Sequence, residues 1–222
     1  MNLYSMIAPG MKHDFADQAL ERAFFVATNP TPGTGIASLA AATAFSATAG
    51  LMNIFNSATL QQGNVIRPVL LRLMCTTANT SAANYRLAMY LDSANRWSSG
   101  GSAITEVPVV DEGASGTSFV EPTSKATIYF GLLVLAAATD ANLITHVNVA
   151  EDVMVANDVI NIWFGCGPSG GLGGAMEQVD VVVPPVWIKP GANLSIHEFA
   201  ASQSDDPEFE FEFWYIETPN QN

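Results

Sequence analysis

Charge is what this sequence has least of. Only 13% of its 222 residues are charged, against 49% hydrophobic, and a soluble domain usually carries about twice that charged share. A surface so poor in charge is built from Ser, Thr, Asn, Ala and Gly or is covered by neighbours, which favours an assembly over a lone monomer. Positive charge is scarcest, with 8 Lys and Arg against 21 Asp and Glu and a net charge of −13. The deficit is uneven: residues 1–125 hold seven bases and eight acids, whereas residues 126–222 hold Lys189 alone against thirteen acids. Displacing counterions from phosphates needs cations, so the C-terminal half is excluded as a nucleic-acid surface. Repulsion from anionic lipid argues against membrane docking. An acidic surface suits a basic protein partner, bound cations or plain solvent.

Cysteine is nearly absent too. Cys75 and Cys166 stand 91 positions apart with no C-x-x-C pair, so a structural zinc site is not expected. Two buried thiols fit better than one disulfide, although both readings satisfy the count. No run of 18 apolar residues spans a bilayer, and the N-terminus lacks the basic start and apolar run of a signal peptide. There is no internal repeat and little helical periodicity.

What is present is period-two alternation. Val65–Cys75 places Val65, Val69, Leu71, Leu73 and Cys75 on one face, and Tyr85, Leu87, Met89 and Leu91 repeat the pattern. Ala126–Ala138 is an apolar run that suits a strand buried on both sides. Val159–Phe164, Val179–Ile188 (bent at Pro184-Pro185) and Asn193–Ala200 follow. Glu208–Glu217 alternates most cleanly, with Phe209, Phe211, Phe213 and Tyr215 on one face and Glu208, Glu210 and Glu212 on the other. Asp92–Ser102, with Gly100-Gly101 at its tip, and residues 106–124 read as loops. Eight or nine strands joined by turn chemistry predict an all-β, jelly-roll-like, two-sheet antiparallel sandwich over residues 51–222. Residues 1–50 read as an extended, partly irregular N-terminal arm. Met11–Phe25 offers a short amphipathic helix, Arg22–Thr28 a competing strand, and Ile36–Gly50 small side chains that bury little area.

Literal motifs fail their structural context. Gly165-Cys-Gly-Pro-Ser-Gly170 matches a dinucleotide fingerprint, but a strand rather than a phosphate-holding helix follows it. Gly167-Pro-Ser169-Gly-Gly171 matches a nucleophile elbow with Asp180 and His197 downstream, yet Pro168 and the missing helix contradict it. His13, His146 and His197 have no second histidine at metal spacing. His146 near Asp140, Glu151 and Asp152 reads as a solvated turn, and Asp205-Asp206 with Glu208 lacks a calcium-loop spacing. No catalytic residue, cofactor or metal is therefore expected. Trp163 and Trp187 read as core. Trp97 beside Arg96 is the best candidate for an exposed aromatic contact, since Trp and Arg are enriched at interface hot spots. Ile36, Leu39 and Phe45, the large residues of the small-residue arm, join them as candidate partner contacts.

The run Val65–Trp97, the Pro184-Pro185 and Pro190-Gly191 pairs and the closing Phe/Glu strand resemble the jelly-roll head-decoration (cement) proteins of tailed bacteriophages. The resemblance covers about residues 50–217. It implies a non-enzymatic virion subunit on the capsid exterior, a homotrimer that braces the major capsid protein. It transfers no individual functional residue. The other reading weighed is a virion or surface jelly roll that binds carbohydrate or a host receptor through an aromatic such as Trp97.

Overall fold

A computed structural model describes residues 23–38, 44–59, 63–78, 84–109, 123–150, 155–165, 178–201 and 207–219. Among them there are strands and no helix. The strands are β1 (Phe24–Thr28), β2 (Ile36–Ala37), β3 (Ala49–Asn56), β4 (Asn64–Thr77), β5 (Asn84–Asp92), β6 (Trp97–Ile104) and β7 (Glu106–Pro108). They continue with β8 (Ala126–Leu135), β9 (Asn142–Ala150), β10 (Val159–Phe164), β11 (Gln178–Val183), β12 (Asn193–Ala201) and β13 (Glu208–Pro219). Sheet A runs β11-β10-β4-β13-β1-β7, with β2 also paired to β13, and sheet B runs β6-β8-β3-β12-β5-β9. The two mostly antiparallel sheets form the expected sandwich.

Eight of these strands pair as a nested hairpin. β1 pairs antiparallel with β13, β3 with β12, β4 with β10 and β5 with β9. The first is thus matched to the eighth, the second to the seventh, and so inward. Such nesting is compatible with a jelly roll, in which a long double ribbon wraps into two facing sheets. β6 and β8 extend sheet B beyond β3, and β11 extends sheet A in parallel with β10.

The core lies between the sheets. Phe209, Phe211, Phe213 and Tyr215 of β13 turn inward as their alternation requires, and Phe211 stacks on Phe130 of β8 at 4.3 Å between centroids. Leu71, Leu73, Met52, Ile54, Leu194 and Ile196 fill the same layer. One end is closed by Glu217, whose Oε1 accepts from Ser124 Oγ at 2.5 Å and from the backbone N–H groups of Lys125 and Ala126 at 2.6 and 3.3 Å. Three donors on one carboxylate oxygen offset its burial. Cys75 is a buried free thiol pushed up to about 11, by burial first and by Asp158 second. Cys166 lies outside the described residues.

Four expectations need correction. Phe24–Thr28 and Ile36–Ala37 are not arm but sheet A, paired to β13, and Gly50 is already inside β3. Phe25 and Ala27 supply enough inward apolar surface to hold this segment in the sandwich, so the boundary at residue 50 falls too late. Residues 1–22 and 39–43 lie outside the described residues. The expected loop at Asp92–Ser102 contains strand β6. Its glycines are bulge positions in left-handed conformation, where a Cβ on Gly100 would stand 2.3 Å from Leu132 O. β8 is buried on one face only, with Leu132 and Val134 exposed on the other. His146 stands in strand β9 rather than a turn, its ring stacked on Phe199.

Candidate interaction surface

The outer face of sheet A is apolar where a sandwich surface is ordinarily polar. On β10 the inward residues are Ile160, Ile162 and Phe164, so Trp163 faces out. On β13 the same alternation sends Glu208, Glu210, Glu212, Trp214 and Ile216 outward. On β1 it sends Phe24 and Val26 outward. In β4 the inward set would be Ile66 and every second residue after it, but the core holds Leu71, Leu73 and Cys75. The parity changes at a bulge: Trp214 pairs with Leu70 and Tyr215 with Pro68, leaving Val69 as the extra residue. Val69 and Leu70 therefore both join the outer cluster with Ile216, against which Phe24, Trp163 and Trp214 pack.

Register then aligns one row across the whole sheet. Val182 pairs with Trp163, Trp163 with Leu70, Leu70 with Trp214, Trp214 with Val26, and Val26 with Val107. Six neighbouring strands at the usual spacing make the row about 24 Å wide. Its ends are open, with Val182 57% and Val107 56% exposed, and Leu70 at its centre is buried under its neighbours at 4%. Phe24 meets Trp214 edge-on at 6.1 Å.

The next row along the strands is polar: Asp180, Asn161, Arg72, Glu212 and Thr28 are consecutive register partners. It fixes the rings above it. Trp163 Nε1 donates to Asp180 Oδ1 at 3.3 Å, and Trp214 Nε1 donates to Glu212 Oε1 at 2.7 Å. Arg72 bridges to Glu212 at 3.5 Å, and Asn161 Nδ2 donates to Asp180 at 3.0 Å. Both indoles thus spend their N–H groups sideways on carboxylates and leave apolar ring surface outward. At the other margin Arg67 lies over the exposed ring of Trp187, 5.3 Å from its centroid. Neither Trp163 nor Trp187 belongs to the core between the sheets, which corrects the sequence expectation.

Sheet B differs on its outer face. Asn53, Asp92, Asn193, Ser195 and His197 are all nearly or fully buried there, beneath the segment leading into β3 and the turn after β5. Arg96 ties these together: Nε donates to Ala136 O at 2.9 Å, Nη2 to Ala47 O at 2.5 Å, and Nη1 lies 3.9 Å from Asp92. It is 2% exposed, which removes it from the expected partner contacts. Trp97 is half-buried, stacked on Tyr129 at 4.0 Å with its N–H donated to Gly100 O. Ile36 is half-buried against the core, and Phe45 is 40% exposed over Tyr90, His197 and Phe199. Leu39 lies outside the described residues.

The structure gives His197 a serine, though not the one the motif offered. Ser195 Oγ lies 3.0 Å from His197 Nε2, while Nδ1 faces the carbonyl oxygens of Ala49 at 2.7 Å and Ser46 at 3.1 Å. Carbonyls only accept, so Nδ1 carries the proton and Nε2 accepts from the serine. Burial first, and the Arg96 charge, hold the imidazole below the usual histidine range against the opposing pull of the two carbonyl bonds. Ser195 and His197 are 0% and 1% exposed, so the pair fastens the covering segment and offers no surface to a substrate. Ser169, Asp152, Asp205 and Asp206 lie outside the described residues. Among the described residues no group of three His, Cys, Asp or Glu could hold a metal, and no helix is long and apolar enough to cross a membrane.

Comparison with protein-family models, with curated proteins and with solved structures returns no match.

Proposed function

We propose that this chain is a non-enzymatic structural virion protein, a decoration or cement subunit that binds the outer capsid surface and braces the head. The carrying observation is the Val182–Trp163–Leu70–Trp214–Val26–Val107 row, an apolar stripe across an entire sheet that is exposed at both ends and half-buried at its tryptophans. Contiguous exposed apolar surface on a soluble domain marks contact with another macromolecule, and tryptophans held rigid by their own N–H bonds are the side chains that anchor such contacts. The low overall charge and the family likeness point the same way and bring the major capsid protein and a homotrimer with them. Carbohydrate binding has weaker support, because Trp97 commits one ring face to Tyr129.

The test is assembly. Light scattering of the purified chain is expected to give three times the chain mass, and capsid shells assembled without the chain are expected to take it up and resist heating better. A clean monomer that leaves such shells undecorated ends this reading.

A further inference from the structure

The apolar row has an asymmetric frame that narrows what can cover it. On one flank β13 lines up Glu208, Glu210 and Glu212, and β11 adds Asp180. Among the described residues of this flank, Arg72 is the cation, 48% exposed and bridged to Glu212. Glu208 receives Thr77 Oγ1 at 2.9 Å, and Glu210 receives the backbone N–H of Gly33. These neutral donors hold the carboxylates in place without cancelling their charge. On the other flank stand Phe24 and Ile216, then Arg67 against Trp187.

We infer, resting on the structural-subunit reading above, that this face docks a protein surface whose apolar side chains are flanked on one side by lysine or arginine. Two effects add there. The tryptophans, leucine and valines lose water against the partner's apolar centre, and the partner's cations meet Glu208, Glu210 and Glu212 across the rim, which steers encounter and fixes orientation. A second copy fits the same face less well, since it brings the three β13 carboxylates against Arg67 and carries −13 of its own. Anionic lipid and nucleic acid are repelled by the same flank. The partner is therefore basic at its contact, as an acidic decoration needs.

Two synthetic hairpin peptides with the same Trp/Leu/Val face test this, one flanked by lysines and one by glutamates at the same positions. Titrated into the full chain with tryptophan fluorescence, the lysine peptide is expected to bind about tenfold more tightly at about 50 mM salt, with the preference shrinking several-fold at about 500 mM as charges are screened. Trp214→Glu is expected to abolish binding of both. The Glu208→Gln/Glu210→Gln pair is expected to reduce the preference while leaving the circular dichroism spectrum unchanged, which separates lost charge from lost fold. Equal binding of both peptides, preference for the glutamate peptide, or no binding of either overturns the inference. So does conversion of an oligomer to monomers by Trp214→Glu, which would make a second copy the occupant. Undecorated shells alongside an intact lysine preference would sink the virion reading alone.

Discussion

Sheet A turns two tryptophans, a leucine and three valines outward in one row across the sheet, whereas the outer face of sheet B is polar and roofed by the chain's own segments over β3, β12 and the end of β5, with exposed apolar side chains on β8 and β9 at Leu132, Val134 and Leu143. The order is inverted from the usual one, in which polar residues meet water and apolar ones are covered. Covered polar groups need partners, and Arg96, Asp92, Ser195 and His197 find theirs in one another and in the backbone, while Asn53 Oδ1 and Asn193 Nδ2 have none among the described residues. Those residues are occupied with holding the fold. Where apolar groups are left half-covered on sheet A, none of them belongs to the core between the sheets, and they are the ones proposed for contact.

The contrast breaks most severely at Arg96. Arg96→Ala leaves buried Asp92 without its cation, held by the backbone N–H groups of Ala94 and Thr139, and frees the segment at Ala47, and is expected to cost about 3–5 kcal/mol in denaturant unfolding. A loss below about 1 kcal/mol would mean that the roof is loosely held. Trp214→Ala on the open face is expected to cost only about 1–2 kcal/mol, because the ring is half-buried before any partner arrives, yet to lose most of the shell binding. An unfolding cost as large as that at Arg96 would place the row among the fold's own supports. Acid sharpens the comparison on the sheet B side. His197 is held below its unfolded value, so the unfolded chain takes up the proton first and stability falls as pH drops below the usual histidine range. His197→Gln is expected to flatten that part of the stability–pH curve. Glu106, raised by burial first and by Glu217, acts in the opposite sense, so the difference between the two proteins is the quantity to measure. The smallest effect is expected at the row's ends: Val107→Thr with Val182→Thr should change stability by no more than about 0.5 kcal/mol, while lowering shell affinity measurably.

The all-β sandwich was legible because β4, β5, β12 and β13 carry alternation that only a half-buried strand explains. The contact face was not, for a local reason. Reading β4 at strict period two keeps Val69 with Leu71 and Leu73 on the core side, and one bulge residue sends it to the other face. No residue type announces that bulge. Trp163 and Trp187 read as core because large aromatics in strands usually lie there, and side-chain hydrophobicity does not say which of two faces is inner. Arg96 misleads in the opposite direction: its neighbours Asn95 and Trp97 look like an exposed turn, and the two carbonyls that bind its guanidinium, on Ala47 and Ala136, come from segments far away in sequence. The β1 strand was hidden behind an equally good helical pattern and was decided by Ile216, Tyr215 and Trp214 across the sheet. The glycines of β6 read as a loop tip because a left-handed glycine serves a tip and a bulge equally well.

The nested pairing has a consequence for synthesis. β13, the last of the described strands to be translated, sits between β4 and β1, so the β1–β7 pair waits for β13 before it can join β4 in sheet A. Until then β4 has an open edge, and the future contact row exists only as separate pieces. Contacts this distant along the chain make for slow folding, and a ribosome-bound chain short of Glu208 presents an unpaired edge to its neighbours. Because Trp214 and its anchor Glu212 arrive on that same strand, the apolar row is completed only when the sandwich itself closes, so an unfinished chain lacks the face proposed to receive a partner.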